Sequence, residues 1–352
     1  MKVMKYELAR AIDKLKSVVQ KNEAFPALSG ILVNNGYLIA SNTEITIQVK
    51  LEAAAGESFI IPMKAFDLIK NLPEGEVTVQ DDSKHVVTIQ MEKIKNRYKS
   101  FAPDDFSYTP MDIETSGMAK LNGKRIMEAL GHVVFAASDK DANKWMNGVY
   151  FDGKDDLLRV VALDGHVIAV DSMAAEGVAG MKLIVPKTAI KKLLSMGMDD
   201  DVELLYDDTQ MVFRATDYSI HTRLVDGKYF AYEKMFGESR MVTIIDRKSL
   251  QGAMTRAKMC VEDNQPVIFD ISGYDLNISI KDRMADYNET VELQEESAEE
   301  IRIGFSPKLV LEAAKAFTCD NISLSFSGPK RPMVIEAEDS DMKAVVLPVA
   351  IK

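Results

Sequence analysis

At residues 160–170 the chain reads VVALDGHVIAV, two apolar runs around Asp164, Gly165 and His166. A carboxylate and an imidazole two residues apart have the chemistry of an acid and a base. The same triplet also suits a hairpin tip. Glycine takes the positive φ of a tight turn, and aspartate accepts hydrogen bonds from nearby backbone N–H groups. An active site would need more around it. The four histidines, His85, His132, His166 and His221, show no ligand spacing, and no GxxxxGK[ST], GxGxxG or GxSxG pattern occurs. Cys260 and Cys319 have no CxxC neighbour and read as buried reduced thiols. The acidic run LQEESAEEI at 293–301 reads as a solvated loop, and Asp81–Asp82 and Asp207–Asp208 as hairpin turns. No metal or cofactor is expected. These signs weigh against an enzyme, with a hydrolase using Asp164 and His166 left as an alternative.

The elements that must position this triplet come in threes. FIIPMKAFDLIKNL, LIVPKTAIKKLLSM and IGFSPKLVLEAAKAF each run from a short apolar strand into an amphipathic helix. Pro62 and Pro186 mark the helix starts, and Ser306-Pro307 takes the matching place in the third copy. Behind them GEVTVQDDSKHVVTIQ, DDVELLYDDTQMVFRAT and DNISLSFSGPKRPMVIEA each alternate as two strands around a polar turn. A longer helix opens each copy: YELARAIDKLKSVVQK, NGKRIMEALGHVVFAA and RKSLQGAMTRAKMCV. The 352 residues therefore divide into three tandem domains, 1–118, 119–242 and 243–352, of an α+β class with helices packed on antiparallel sheets. A 47% hydrophobic content supports a large core. No apolar run reaches the ~18 residues of a membrane span. The start lacks the unbroken apolar stretch of a signal peptide, so a cytoplasmic location is expected.

Charge is distributed unevenly. The whole chain carries −11, which taken alone argues against nucleic acid. Yet the six predicted helices at 6–21, 63–72, 122–137, 187–196, 247–261 and 307–317 hold 17 basic and 5 acidic residues. On the first, Leu8, Ile12, Leu15 and Val19 form one face and Arg10, Lys14, Ser17 and Lys21 the other. In the third copy Leu250, Met254, Ala257 and Val261 face inward while Arg256 faces away. Lys70, Lys192 and Lys308 lie off the apolar stripes of the shorter helices. Solvated lysines explain one such helix. Six of them on an acidic chain point to one surface facing a polyanion such as duplex DNA, whose phosphates need no sequence-reading motif. A scaffold whose basic helices pack on acidic protein partners is the other reading.

The order and spacing of FPALSGILV near residue 25, MNGVYFD at 146, LRVVALDGHVIAV at 158, LVDGKYFAYEKMF at 224 and the closing AVVLPVAI carry a resemblance along the whole chain. It resembles the bacterial sliding clamp, the beta subunit of DNA polymerase III. The resemblance implies a head-to-tail homodimeric ring of clamp domains, helices lining the hole, no catalysis, and tethering of a polymerase to double-stranded DNA. Partners would be DNA, a second copy, and the polymerase, clamp loader and other proteins carrying a short clamp-binding motif. Their motif would enter a hydrophobic pocket between the second and third domains, built from Met146, Leu163, Gly165, His166, Val167, Ile168, Met235, Val345, Val346, Leu347, Pro348 and Val349. The apolar tail that supplies five of these could otherwise be a final edge strand. Lys140, Lys144 and Trp145, with Lys70 and Asn22, match DNA-facing positions, although Trp145 also suits a partly buried packing role. The dimer contact would pair the region of Tyr98 with that of Met259. Four positions depart from the family pattern: Phe230 for a usual proline, Asn264 for an aromatic, and Val167 and Ala350 for arginines.

Overall fold

The computed structural model describes residues 1–82, 84–198, 200–261, 265–281 and 286–351. Two compact units emerge, Met1–Gly123 with Ser195–Leu224, and Lys124–Leu194 with Val225–Lys352. Each holds one eight-stranded and one four-stranded antiparallel sheet. In unit 1 the small sheet runs β1 (Lys2–Met4), β6 (Glu76–Gln80), β7 (Val86–Met91), β8 (Ile94–Lys99). Its large sheet runs β5 (Ser58–Pro62), β2 (Gly30–Asn34), β3 (Tyr37–Ser41), β4 (Ile45–Lys50), β16 (Tyr218–Arg223), β15 (Gln210–Arg214), β14 (Val202–Tyr206), β9 (Gly117–Leu121). In unit 2 the large sheet runs β13 (Lys182–Pro186), β10 (Gly148–Lys154), β11 (Leu157–Leu163), β12 (Val167–Ala174), β24 (Lys343–Val346), β23 (Met333–Glu336), β22 (Asn321–Phe326), β17 (Met241–Asp246). Its small sheet runs β20 (Asp286–Glu292), β19 (Asp275–Lys281), β18 (Val267–Ser272), β21 (Ile301–Phe305). The 118/119 and 242/243 divisions fall inside β9 and β17, and the middle third supplies strands to both large sheets.

Helices α1 (Lys5–Leu15) and α2 (Phe66–Asn71) belong to unit 1. Helices α3 (Gly123–Val133), α4 (Lys187–Met196), α5 (Arg247–Met259) and α6 (Pro307–Ala316) belong to unit 2 apart from Gly123, Ser195 and Met196. Their apolar stripes are core: Leu8, Ile12 and Leu15 on α1 and Leu250, Met254 and Ala257 on α5 are all buried. Asp246 caps α5, its carboxylate accepting from the Ser249 N–H at 2.7 Å. The first helix is shorter than its sequence pattern. It stops at Leu15, while Val18 and Val19 are buried in the turn beyond and prolong the apolar periodicity without prolonging the helix. Pro62 and Pro186 end β5 and β13 rather than opening helices; Pro307 does open α6, behind Ser306. The cysteines are free and only half-buried.

The repetition extends to single hydrogen bonds. In unit 1 the last residue of β3, Ser41, opposes Thr46 of β4, which opposes His221 of β16. In unit 2 the last residue of β11, Leu163, opposes Ile168 of β12, which opposes Val345 of β24. Both turns close the same way. The Asn42 Oδ1 accepts from the Glu44 and Ile45 N–H groups, and the Asp164 Oδ1 from those of His166 and Val167. The middle residue has positive φ in each, Thr43 at 76° and Gly165 at 86°. Beyond the third strand, Arg223 N–H donates to the Glu44 carbonyl and Leu347 N–H to that of His166. Gly30 and Gly148 also correspond. A Cβ on either would lie 2.6 Å from an isoleucine Cγ2 and 2.7 Å from a backbone carbonyl of the neighbouring strand.

Candidate functional site

Cross-strand neighbours share a face, so Leu163, Ile168 and Val345 stand side by side on one face of the large sheet of unit 2. With Val161, Val170, Ile184, Tyr229 and Tyr232 they form a buried apolar cluster. Partly exposed apolar side chains pack against it, among them Met146, Met235, Leu347 and Trp145. Six of the twelve expected pocket residues therefore meet here: Met146, Leu163, Ile168, Met235, Val345 and Leu347. Gly165 and His166 sit exposed at the adjacent turn. Val167 and Val346 oppose each other one residue out of step, so their buried side chains point to the other face of the sheet. Pro348 and Val349 are half-buried, and the Val349 N–H donates to the Gly304 carbonyl at 2.8 Å, which carries the tail alongside β21. The tail is no edge strand, since β24 lies between β12 and β23.

The turn has no acid–base role in this geometry. The Asp164 carboxylate accepts two backbone N–H groups, at 2.9 and 3.0 Å, and the His166 ring faces solvent. Of the four departures, Phe230 is 45% exposed beside the cluster, Val167 is buried on the opposite face, Ala350 is exposed, and Asn264 lies outside the described residues.

Three tyrosines hold the covering segment down. Tyr150 of β10 stacks on Tyr229 at 4.5 Å between ring centroids, and Trp145 meets Tyr229 edge-on at 5.4 Å. Tyr229 donates its hydroxyl to the Val161 carbonyl at 3.2 Å, and Tyr232 donates to Asp152 at 2.6 Å. Burial, with Asp152 nearby, pushes the Tyr150 phenol up to about 12, and burial raises Tyr229 and Tyr232 as well. All three stay neutral, and Tyr229 and Tyr232 act as donors. Sequence reading missed them, although YFAY at 229–232, just after Asp226-Gly227, offered a signal.

The expected DNA-facing residues fall on both units. The observed helices carry 15 basic and 5 acidic residues, so the bias survives their shorter bounds. Arg10, Lys70, Lys140 and Lys144 are exposed, while Lys14 and Lys192 are half-buried. The Lys14 ammonium lies 4.7 Å from the Tyr218 ring centroid. Lys21 lies beyond the end of α1 and pairs with Glu23 at 3.4 Å. Asn22 spends its side-chain oxygen on the Ala24 and Phe25 N–H groups. Trp145 is half-buried in the apolar cluster. Arg256 grips Glu289 through two hydrogen bonds, one of 2.9 Å from Nε, and holds that carboxyl below its usual range.

Tyr98 lies half-buried on β8, and Met259, 81% exposed, ends α5. Sequence reading did not mark β8 and β20 as sheet edges of opposite charge. Lys95, Arg97 and Lys99 are exposed on β8, and Asp286 and Glu292 on β20. It also missed a buried ionic set. Asp171 of β12 is fully buried and accepts from Arg125 Nη1 at 3.2 Å, Arg125 Nη2, His132 Nδ1 at 2.6 Å and its neighbour Ser172 N–H at 2.7 Å. Burial alone would raise this carboxyl, but His132 and Arg125 outweigh it and hold the group below its usual range. Among the described residues no group of three His, Cys, Asp or Glu side chains could hold a metal, and no helix is long and apolar enough to cross a membrane.

The family model of the DNA polymerase III beta subunit central domain matches residues 120–230, and that of its C-terminal domain residues 237–350. Relatives named beta sliding clamp include one from Halalkalibacterium halodurans, 22% identical over 94% of this chain and 93% of its own. Another, from Synechocystis sp., is 24% identical over 98% and 97%. Among solved structures, a DnaN sliding clamp from Pseudomonas aeruginosa bound to griselimycin superposes with a TM-score of 0.93 at 20% identity, covering 100% of this chain and 99% of that one. A putative DNA polymerase III beta subunit from Eubacterium rectale gives 0.89 at 24% identity over 99% and 98%.

Proposed function

Because the chain belongs to the DNA polymerase III beta subunit family, the bacterial sliding clamps, we propose that it encircles duplex DNA as a head-to-tail homodimer and tethers a polymerase there without catalysis. The observation that carries the closure is the strand order. Each large sheet joins two four-stranded halves, through β4 and β16 in one and β12 and β24 in the other. The small sheets are the two halves left over. The order β21-β18-β19-β20 repeats β5-β2-β3-β4, and β8-β7-β6-β1 repeats β16-β15-β14-β9. The same rule joins β20 of one copy to β8 of the next, removing two open strand edges. The acidic Asp286 and Glu292 would then meet the basic Lys95, Arg97 and Lys99. Tyr98 lies on one of these edges. Met259 ends the helix that Tyr287 and Glu289 of β20 tie down, with Tyr287 donating to the Ala253 carbonyl and Glu289 pairing with Arg256.

In this reading the helices face DNA, with Arg10, Lys14, Lys21, Asn22, Lys70, Lys140, Lys144, Trp145, Lys192 and Arg256 as its contacts. Arg256 would exchange Glu289 for a phosphate. The cluster around Leu163, Ile168 and Val345 receives the apolar motif of the polymerase, the clamp loader or other partners, so that a dissociated polymerase rebinds at high effective concentration. The place of work is the cytoplasm. The decisive experiment loads the protein on nicked circular DNA. Retention on the circle and loss after linearisation, with a solution mass near twice 39.1 kDa, is the expected result. Equal retention on both forms refutes encirclement. Lys70→Ala should weaken DNA binding for all sequences alike and flatten the log–log salt dependence by about 1.

A further inference from the structure

The docking floor of unit 2 has a counterpart in unit 1 that is identical in register and opposite in chemistry. The turn hydrogen bonds, the positive-φ residue and the strand pairing match residue for residue, so Ser41, Thr46 and His221 stand where Leu163, Ile168 and Val345 stand. The surroundings are similar. Leu32, Ile39 and Ile60 continue the same face and are covered by Phe106, much as Tyr150, Val161 and Ile184 are covered by Tyr229. Apart from half-buried Gln48 in the place of Val170, only the three floor positions change from apolar to polar.

We propose that Ser41, Thr46 and His221 bar the unit 1 junction to apolar peptides, so that each chain carries one docking site where its repeats would otherwise build two. The proposal rests on the reading of the unit 2 cluster as the docking floor.

The physical grounds are specific. All three side chains are at most 2% exposed. The Ser41 and Thr46 hydroxyls bond each other at 3.0 Å, and His221 Nε2 bonds the Gln210 Oε1 at 2.9 Å. His221 Nδ1 is buried with no hydrogen-bond partner among the described residues. The hydroxyls and Nε2 are already closed off from water and bonded within the protein, so an apolar side chain that displaced the cover to reach this floor would supply no donor or acceptor to any of these polar atoms. Leucine, isoleucine and valine carry no such penalty. The cover differs in the same sense. Two residues before the matched glycines Gly30 and Gly148 stand Leu28, 1% exposed, and Met146, partly exposed. A flexible methionine can move aside for a ligand where a close-packed leucine cannot.

The test counts sites. A short synthetic peptide rich in leucine and phenylalanine is titrated calorimetrically into the full-length dimer and into the variant Ser41→Leu, Thr46→Ile, His221→Val. The wild-type protein should saturate at one peptide per chain and the variant at two. Adding Ile168→Asp to the variant should return it to one. A variant that keeps the unit 2 site, which reports its folding, yet still saturates at one overturns the proposal. Should the wild-type protein bind no peptide, the reading of unit 2 fails instead. The variant then decides separately, since a single new site upholds the barrier and none overturns it. If the triple variant does not fold, Thr46→Val with His221→Leu gives the same count under gentler replacement.

Discussion

Asp171 shows what a single buried charge requires. Its carboxylate is wholly enclosed and satisfied by Arg125, His132 and the Ser172 N–H. Asp171→Ala takes the buried carboxylate away from both Arg125 and His132 and should cost about 3–5 kcal/mol in denaturant unfolding, with Asp171→Asn milder. Nothing in the sequence marks this aspartate, because its partners lie one helix away at Arg125 and His132. His221 behaves in the opposite sense. Burial lowers its pKa from 6.5 to about 4, so the fold holds the ring neutral. The stability tied to that ring is complete above pH 6.5 and is lost as pH falls from there toward 4, at up to about 1.4 kcal/mol per pH unit. Between pH 7 and pH 4.5 the melting temperature of the wild-type protein should therefore fall more steeply than that of His221→Val. The Asp164-Gly165 turn, by contrast, was legible, because both residue types have local backbone uses that need no distant partner.

Among the elements, strands were easier to read than helix ends. The hairpins β6–β7, β14–β15 and β22–β23 follow a two-residue alternation that each segment carries by itself. The end of α1 was overrun, since Val18 and Val19 stay buried after the backbone has left the helix. The matched glycines offer a check on the repeat. Gly30→Ala and Gly148→Ala should each destabilise by about 1–3 kcal/mol through the same clash with an isoleucine and a carbonyl. A large difference between the two in thermal melts would break the equivalence of the units. Strand β24 also limits what can be deleted. Removing residues 345–351 takes half of a strand flanked on both sides, so Met235→Asp or Leu347→Asp is the cleaner probe. Either should weaken peptide binding at least tenfold while leaving the oligomeric mass unchanged.

At the scale of the whole molecule, triplication was visible in the sequence as strand–proline–helix segments, but its junctions were not. Which strand meets which depends on contacts between residues as distant as Val167 and Val346. The charge on β8 and β20 gained meaning only once both proved to be edges. Reversing Lys95, Arg97 and Lys99 to glutamate should halve the mass in sedimentation. Mixing that variant with one carrying Asp286→Lys and Glu292→Lys should restore a mixed dimer through one rematched contact. Recovery of no mixed species would reject the β8–β20 pairing.

A basic edge and an acidic edge on every copy make the contact polar, like a plug and its socket, and such a contact has no built-in stopping point. Ring or fibre is decided by the angle between successive copies alone. A substitution that bent the sheets slightly, leaving both edges intact, would convert a self-terminating assembly into a growing filament. Turbidity that rises with protein concentration would reveal it.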